Sequence, residues 1–198
     1  APKSESTETL YHTSVNVDDL SSQGFSSEWK QGHGLGGSIT TSFGKIGVSF
    51  TSNFYVAKEI FRCLKELIQI AHGKIKNHHI IEWMRDNPLM KNVPQIARET
   101  WGWEDGNNSP ENVANLYKTY LRWASSNLIN PADKVMRYDP FFMNTNTLIK
   151  NLKNKSENDV GILVAEIDMS NDGIAYMEAM DEYRVPVEAI KKIIKVIK

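Results

Sequence analysis

Four groups of side chains in this sequence have types and spacing that could support chemistry. Asp168, Ser170 and Asp172 place oxygen ligands at the first, third and fifth positions of a loop with Gly173 at the sixth, the opening spacing of a calcium site. The spacing then departs from that pattern. Glu178 falls at the eleventh position where a bidentate ligand belongs at the twelfth, and Ala175 stands at the eighth, so a polar turn before a helix is the plainer reading. His72, His78, His79 and Glu82 lie close together, yet there is no His-Glu-x-x-His motif and no cysteine beyond Cys63, so no metal is expected. With Lys74 and Lys76 they read as a solvated basic surface. The glycines of residues 32–37 lack the Lys-Ser/Thr ending and the strand-to-helix context of a phosphate-binding loop, which leaves a hinge. Trp83, Trp101, Trp103, Tyr117, Tyr120 and Trp123 could stack single-stranded bases, but their helical spacing assigns most of them to a core. Trp103, beside Gly102 and the Glu104-Asp105 turn, is the one expected to be exposed. No Ser/His/Asp or Cys/His arrangement is defined, and neither an enzyme nor a cofactor is expected.

The elements that would position such groups are clearest in residues 77–142. Ile80, Ile81, Trp83 and Met84 fall near one side of a helix that must end before Pro88. Residues 93–102 predict a second short helix, with Pro94 in its first turn and Gly102 closing it. Ser109-Pro110-Glu111 is a helix start, and Val113, Leu116, Tyr117, Tyr120, Trp123 and Ala124 repeat at helical spacing behind it. Leu128-Ile129 and the run Val135 to Tyr138 read as two short strands joined through Asn130-Pro131-Ala132-Asp133, a type I turn.

Three helices followed by a hairpin, with Ile96-Ala97 before Gly102, resemble the winged helix-turn-helix DNA-binding family over residues 77–142. The resemblance implies a third helix that enters a DNA groove, where base edges give specificity and phosphates much of the affinity. With Val113, Leu116, Tyr120 and Trp123 on the core, Asn112, Asn115, Lys118, Thr119 and Arg122 would lie on the opposite, reading face. Arg98 from the second helix, with Lys134 and Arg137 in the wing, would hold phosphates.

Composition bounds this reading. At 198 residues and 40% hydrophobic the chain can bury a real core, and its formal charge of -1 hides a polarised distribution. Residues 56–155 carry 15 Lys/Arg against 10 Asp/Glu, whereas residues 156–190 carry 1 against 9. A basic centre beside an acidic neighbour suits a nucleic-acid binder with a separate interaction module. A single cysteine excludes an internal disulfide framework, and Cys63 reads as a small core residue. Without an apolar run of membrane length or a secretory start, a soluble intracellular protein, cytoplasmic or associated with nucleoid or nucleus, is expected.

Elsewhere, residues 1–37 predict a flexible arm with a Gly-rich hinge, and residues 38–52 a strand with Ile46, Val48 and Phe50 on one side. Residues 55–72 form the longest amphipathic helix candidate, stopped by Gly73, and residues 147–155 a short basic helix. Residues 159–167 are ambiguous, strand by content and helix by their Ser156-Glu157-Asn158-Asp159 start, with helix preferred. Pro186 would open a terminal helix striped by Val187, Ile190, Ile194 and Ile197. The expectation is a mainly α protein: an arm over 1–37, a winged-helix domain with a small hairpin wing over 38–155, and an acidic helical extension over 156–198. Its expected function is sequence-preferring binding of double-stranded DNA as a regulator, replication or partition factor, acting as a homodimer. The alternative is a protein-interaction or assembly module, such as a viral structural or accessory protein, supported by the acidic 156–190 segment and by Glu104, Asp105 and Glu111 near the presumed reading helix.

Overall fold

The computed structural model of the chain describes residues 6–25, 47–127, 144–178 and 181–198, with side chains described up to residue 122 in the second of these spans. The described residues divide into two compact units, one formed by residues 1–61 with 158–198 and the other by residues 62–157.

The first unit is built on strands. β1 (Thr7–Ser14) pairs antiparallel with β3 (Gly161–Asp168), Thr7 opposite Asp168 and Ser14 opposite Gly161. On the other side of β3 lies β6 (Ile190–Ile197), also antiparallel, giving the order β1-β3-β6. A second sheet has the order β2-β5-β4, from β2 (Val48–Phe50), β5 (Glu182–Val185) and β4 (Ala175–Met177). Tyr11 and Thr51 exchange two backbone hydrogen bonds of 2.9 Å, so the first strand also touches the end of β2.

Leu10, Val48, Phe50, Ala165, Ile167, Val185 and Ala189 make the core of this unit, and α1 (Val17–Gln23) packs Val17 and Leu20 against Leu163. Burying side chains of this size gains about 1.5 to 3 kcal/mol each, enough to order a chain end otherwise rich in Ser, Thr and acids. Gly161 is required where α1 meets β3: a Cβ there would come within 2.8 Å of Val17. Asp181, at a positive φ of 45°, is buried and accepts hydrogen bonds from Thr51, Ser52 and Tyr176 at 2.9 to 3.1 Å. Those three donors compensate for the left-handed backbone.

The second unit is helical. It takes the part of α2 (Phe54–Ala71) from Arg62 onward, then α3 (Asn77–Met84), α4 (Val93–Trp101), α5 (Pro110–Asn127) and α6 (Thr145–Leu152). α5 is central and packs against α3, α4 and α6. Leu64, Leu67, Ile68, Ile80, Met84, Val113, Leu116 and Tyr117 are buried at positions that the helical spacing of α2, α3 and α5 predicts, and Val93, Ala97, Leu148, Ile149 and Leu152 of α4 and α6 are buried with them. Gly102 closes α4 in the left-handed region, its N–H on the Arg98 carbonyl and that of Trp103 on the Ala97 carbonyl.

Several expectations are corrected. The protein is mixed α/β, with two antiparallel three-stranded sheets among the described residues, and not a mainly α winged helix-turn-helix core with flanking helices. Within the arm predicted over 1–37, the described residues form a strand, Thr7–Ser14, and a helix, Val17–Gln23. Residues 159–167 and the terminal segment, both read as helix, are β3 and, after a short 3-10 turn Val187–Ala189, β6. The Ile190, Ile194, Ile197 stripe misled because two register shifts leave Lys191 and Ile194 without an opposite residue on β3, and strand pairing overrode helical spacing. Ile194 is 47% exposed. The 32–37 hinge, the strand from 38 to 46 and the hairpin wing over 128–138 lie outside the described residues.

Candidate nucleic-acid interface

The face of α5 expected to read bases points inward. Asn112 is buried, its Nδ2 donating to the carbonyls of Glu104 (2.8 Å) and Asn107 (2.5 Å) while its Oδ1 accepts from the Glu104 N–H at 3.0 Å. Lys118 is 3% exposed, with Nζ 3.1 Å from the Thr145 hydroxyl and 4.3 Å from the centre of the Trp101 ring. Thr145 Oγ1 in turn donates to Asn115 Oδ1 at 2.7 Å, and buried Thr119 donates back to the Asn115 carbonyl at 2.8 Å. The expected assignment of faces is therefore corrected: α6 and the 102–109 loop cover the polar flank of α5, which carries internal hydrogen bonds.

That loop is held by a second buried asparagine. Asn77 Nδ2 donates to the carbonyls of Asp105 (3.0 Å) and Asn107 (2.7 Å), and Asn77 Oδ1 accepts from the Trp103 indole N–H at 3.0 Å. Trp103, expected to be exposed, is 2% exposed for this reason, and the Arg98 guanidinium stacks 5.2 Å from its ring centre. Arg98 and Arg122 are on the surface, and Lys134 and Arg137 lie outside the described residues.

The structure brings a different set of basic side chains together. α2 ends at Gly73, whose φ of 74° turns the chain into His72-Gly73-Lys74-Ile75-Lys76, and buried Ile75 pins this turn to the core. Lys74 N–H donates to the Gln69 carbonyl at 2.8 Å, and Lys76 N–H to His79 Nδ1 at 2.9 Å at the start of α3. His72 Nε2 donates to the Lys153 carbonyl at 3.1 Å, which joins the turn to the C-terminal end of α6. His72, Lys74, Lys76, His78, Lys150 and Lys153 are all exposed.

The electrostatics of this rim follow from what is absent in the sequence. Residues 67–81 and 144–156 contain no Asp or Glu. Of the acids that bound them, Glu157 accepts from Gln69 Nε2 at 2.9 Å, Glu66 pairs with Arg62 at 3.2 Å and accepts from the buried Tyr117 hydroxyl at 2.5 Å, and Glu82 is exposed on α3. Burial, with Cys63 and Glu66 nearby, holds that phenol well above its usual pKa, so it remains a donor. Each acid-free stretch was visible in the sequence as a solvated surface and as a basic helix. Their juxtaposition was not.

Among the described residues no group of three or more His, Cys, Asp or Glu is placed to hold a metal ion. The Asp168 turn is closed on itself, Asp168 Oδ1 accepting from the Ser170 hydroxyl at 2.6 Å and Asn171 Oδ1 from the Gly173 N–H at 2.8 Å. Among the described residues no helix is long and apolar enough to cross a membrane. Against protein-family models, curated proteins and solved structures alike, the chain finds no match.

Proposed function

We propose that this chain binds nucleic acid through its phosphates, at the rim formed by His72, Lys74, Lys76, Lys150 and Lys153. The supporting observation is the His72 to Lys153 hydrogen bond, which sets two acid-free basic stretches edge to edge in one unit. Residues 62–157 hold 14 Lys/Arg and 10 Asp/Glu, a net of +4, against 9 and 14, a net of -5, in the rest of the chain. Lys150 and Lys153 at the end of α6 also suit the helix dipole without any ligand, but Lys76 caps the start of α3, where the dipole does not favour a cation.

Four lysines facing phosphates should make binding steeply salt-dependent, with a log–log slope of about -3 for a single strand and about -4 for a duplex. Fluorescence anisotropy of the whole chain with a labelled mixed-sequence oligonucleotide, from 50 mM salt upward, checks this. The Lys74/Lys76/Lys150/Lys153 alanine variant should lose most of the affinity and of the slope, and Arg98→Ala with Arg122→Ala should retain both. The reverse result would return the interface to α5. A second reading, a protein-interaction module, is favoured by Leu89, 53% exposed, and by the acidic 102–109 loop clamped between Asn77 and Asn112. A folded protein that binds no oligonucleotide at low salt would favour it.

A further inference from the structure

Lys76 of the rim starts the helix that carries an exposed aromatic side chain. Trp83 lies on α3 and is 42% exposed, although it belongs to a helix whose Ile80 and Met84 are buried. Two tyrosines of α5 fix its ring: Tyr117 stands edge-on at 6.4 Å and Tyr120 tilted at 6.2 Å, and Tyr117 is anchored in the core through Glu66. One turn earlier on the same face stands His79, about 6 Å back along the axis, with Lys76 at the helix start before it. The His78 and His79 rings lie tilted to one another with their centres 4.0 Å apart.

We propose that the ligand of this rim is single-stranded nucleic acid and that Trp83 is the platform on which one of its bases stacks; this rests on the nucleic-acid reading above. A held indole next to a row of cations is the combination that binds single strands, where each base offers a π face and the backbone follows the charge. In a duplex the bases are already stacked within the helix, and none reaches an exposed indole without being flipped out. The acids nearby set the direction of the strand's path. Glu82 and Asp86, four residues apart, are both exposed beside Trp83, so in this proposal the phosphates keep to Lys76 and His79 and a base, not the backbone, reaches the indole.

The test is anisotropy of the full chain with a labelled oligothymidine and with a duplex of equal length, at 50 mM and 150 mM salt. Wild-type protein should bind the single strand more tightly. Trp83→Ala should weaken that binding about ten-fold or more and leave duplex binding unchanged, and Trp83→Phe should restore most of it. Trp83→Leu, which refills the contact with Tyr117 and Tyr120 without a π face, should behave like the alanine variant and guards against a loss caused by misfolding. Equal affinity for both ligands, or single-strand binding indifferent to Trp83→Ala and Trp83→Leu, overturns the inference and leaves the rim standing if the lysine variant still loses binding. Absence of binding to either oligonucleotide at 50 mM salt overturns both.

Discussion

His12 shows how one residue can make the fold sensitive to acid. Its ring packs against Phe25 and Phe50, and its Nδ1 lies 2.6 Å from the Ser49 carbonyl. Burial pushes its pKa down to about 4, opposed by the Ser49 carbonyl and aided by Arg184. Because the folded value lies below the ordinary histidine value, the unfolded chain takes up the proton first. The stability from neutral His12 is present above about pH 6.5 and lost as pH falls toward 4, by up to about 3 kcal/mol. Urea unfolding at pH 7.5 and pH 5 should show that loss, and His12→Gln should flatten it. Asp181 acts in a different window. Burial disfavours its charge, but the hydrogen bonds from Thr51, Ser52 and Tyr176 prevail and hold its pKa below the usual value, so its contribution fades only below about pH 4. An equal slope in the wild type and His12→Gln would place the acid sensitivity elsewhere.

At the scale of elements, α5 is the instructive case, because its start at Pro110 and its apolar spacing were legible and its surroundings were not. Periodicity identifies one face that must be buried; it does not say that the other face is free. Here α6 and the 102–109 loop cover the polar flank, where Asn112, Asn115 and Lys118 find partners, and Thr119 donates back to the Asn115 carbonyl of its own helix. Asn112→Ala should therefore destabilise the protein by about 1 to 3 kcal/mol, since it removes the acceptor of the Glu104 N–H and one donor to each of the Glu104 and Asn107 carbonyls, whereas Arg122→Ala on the surface should stay within about 0.5 kcal/mol. Chemical unfolding of both variants checks this, and equal values near zero would mean that the flank is solvated after all. The ends of α2, α3 and α4 followed from local chemistry at Gly73, Pro88 and Gly102, because those constraints act within a turn. β6 did not, because a Lys/Ile pattern satisfies a helix and a bulged strand equally until β3 lies beside it.

For the molecule as a whole, the first unit is made from both ends of the chain, and β3, between β1 and β6, holds them together. Leu163→Ala, at a fully buried position on β3, should cost about 2 to 5 kcal/mol. Hydrogen exchange should then show lost protection in β1, β3 and β6 while α4 and α5 keep theirs; uniform loss would mean that the two units unfold as one. By itself the sequence determined the helices of the second unit, the breaks at Gly73, Pro88 and Gly102, the buried apolar positions Leu64, Leu67, Ile68, Ile80, Met84, Val113, Leu116 and Tyr117, and the concentration of positive charge in the middle of the chain. These depend on spacing and on local backbone chemistry, which act over a few residues. Only the tertiary structure decided that the chain ends form strands, that the polar side of α5 is interior, and that the turn after α2 meets the end of α6 to gather the basic rim. Each of those depends on a partner far away in sequence, whose pairing or burial outweighs local preferences that are nearly balanced.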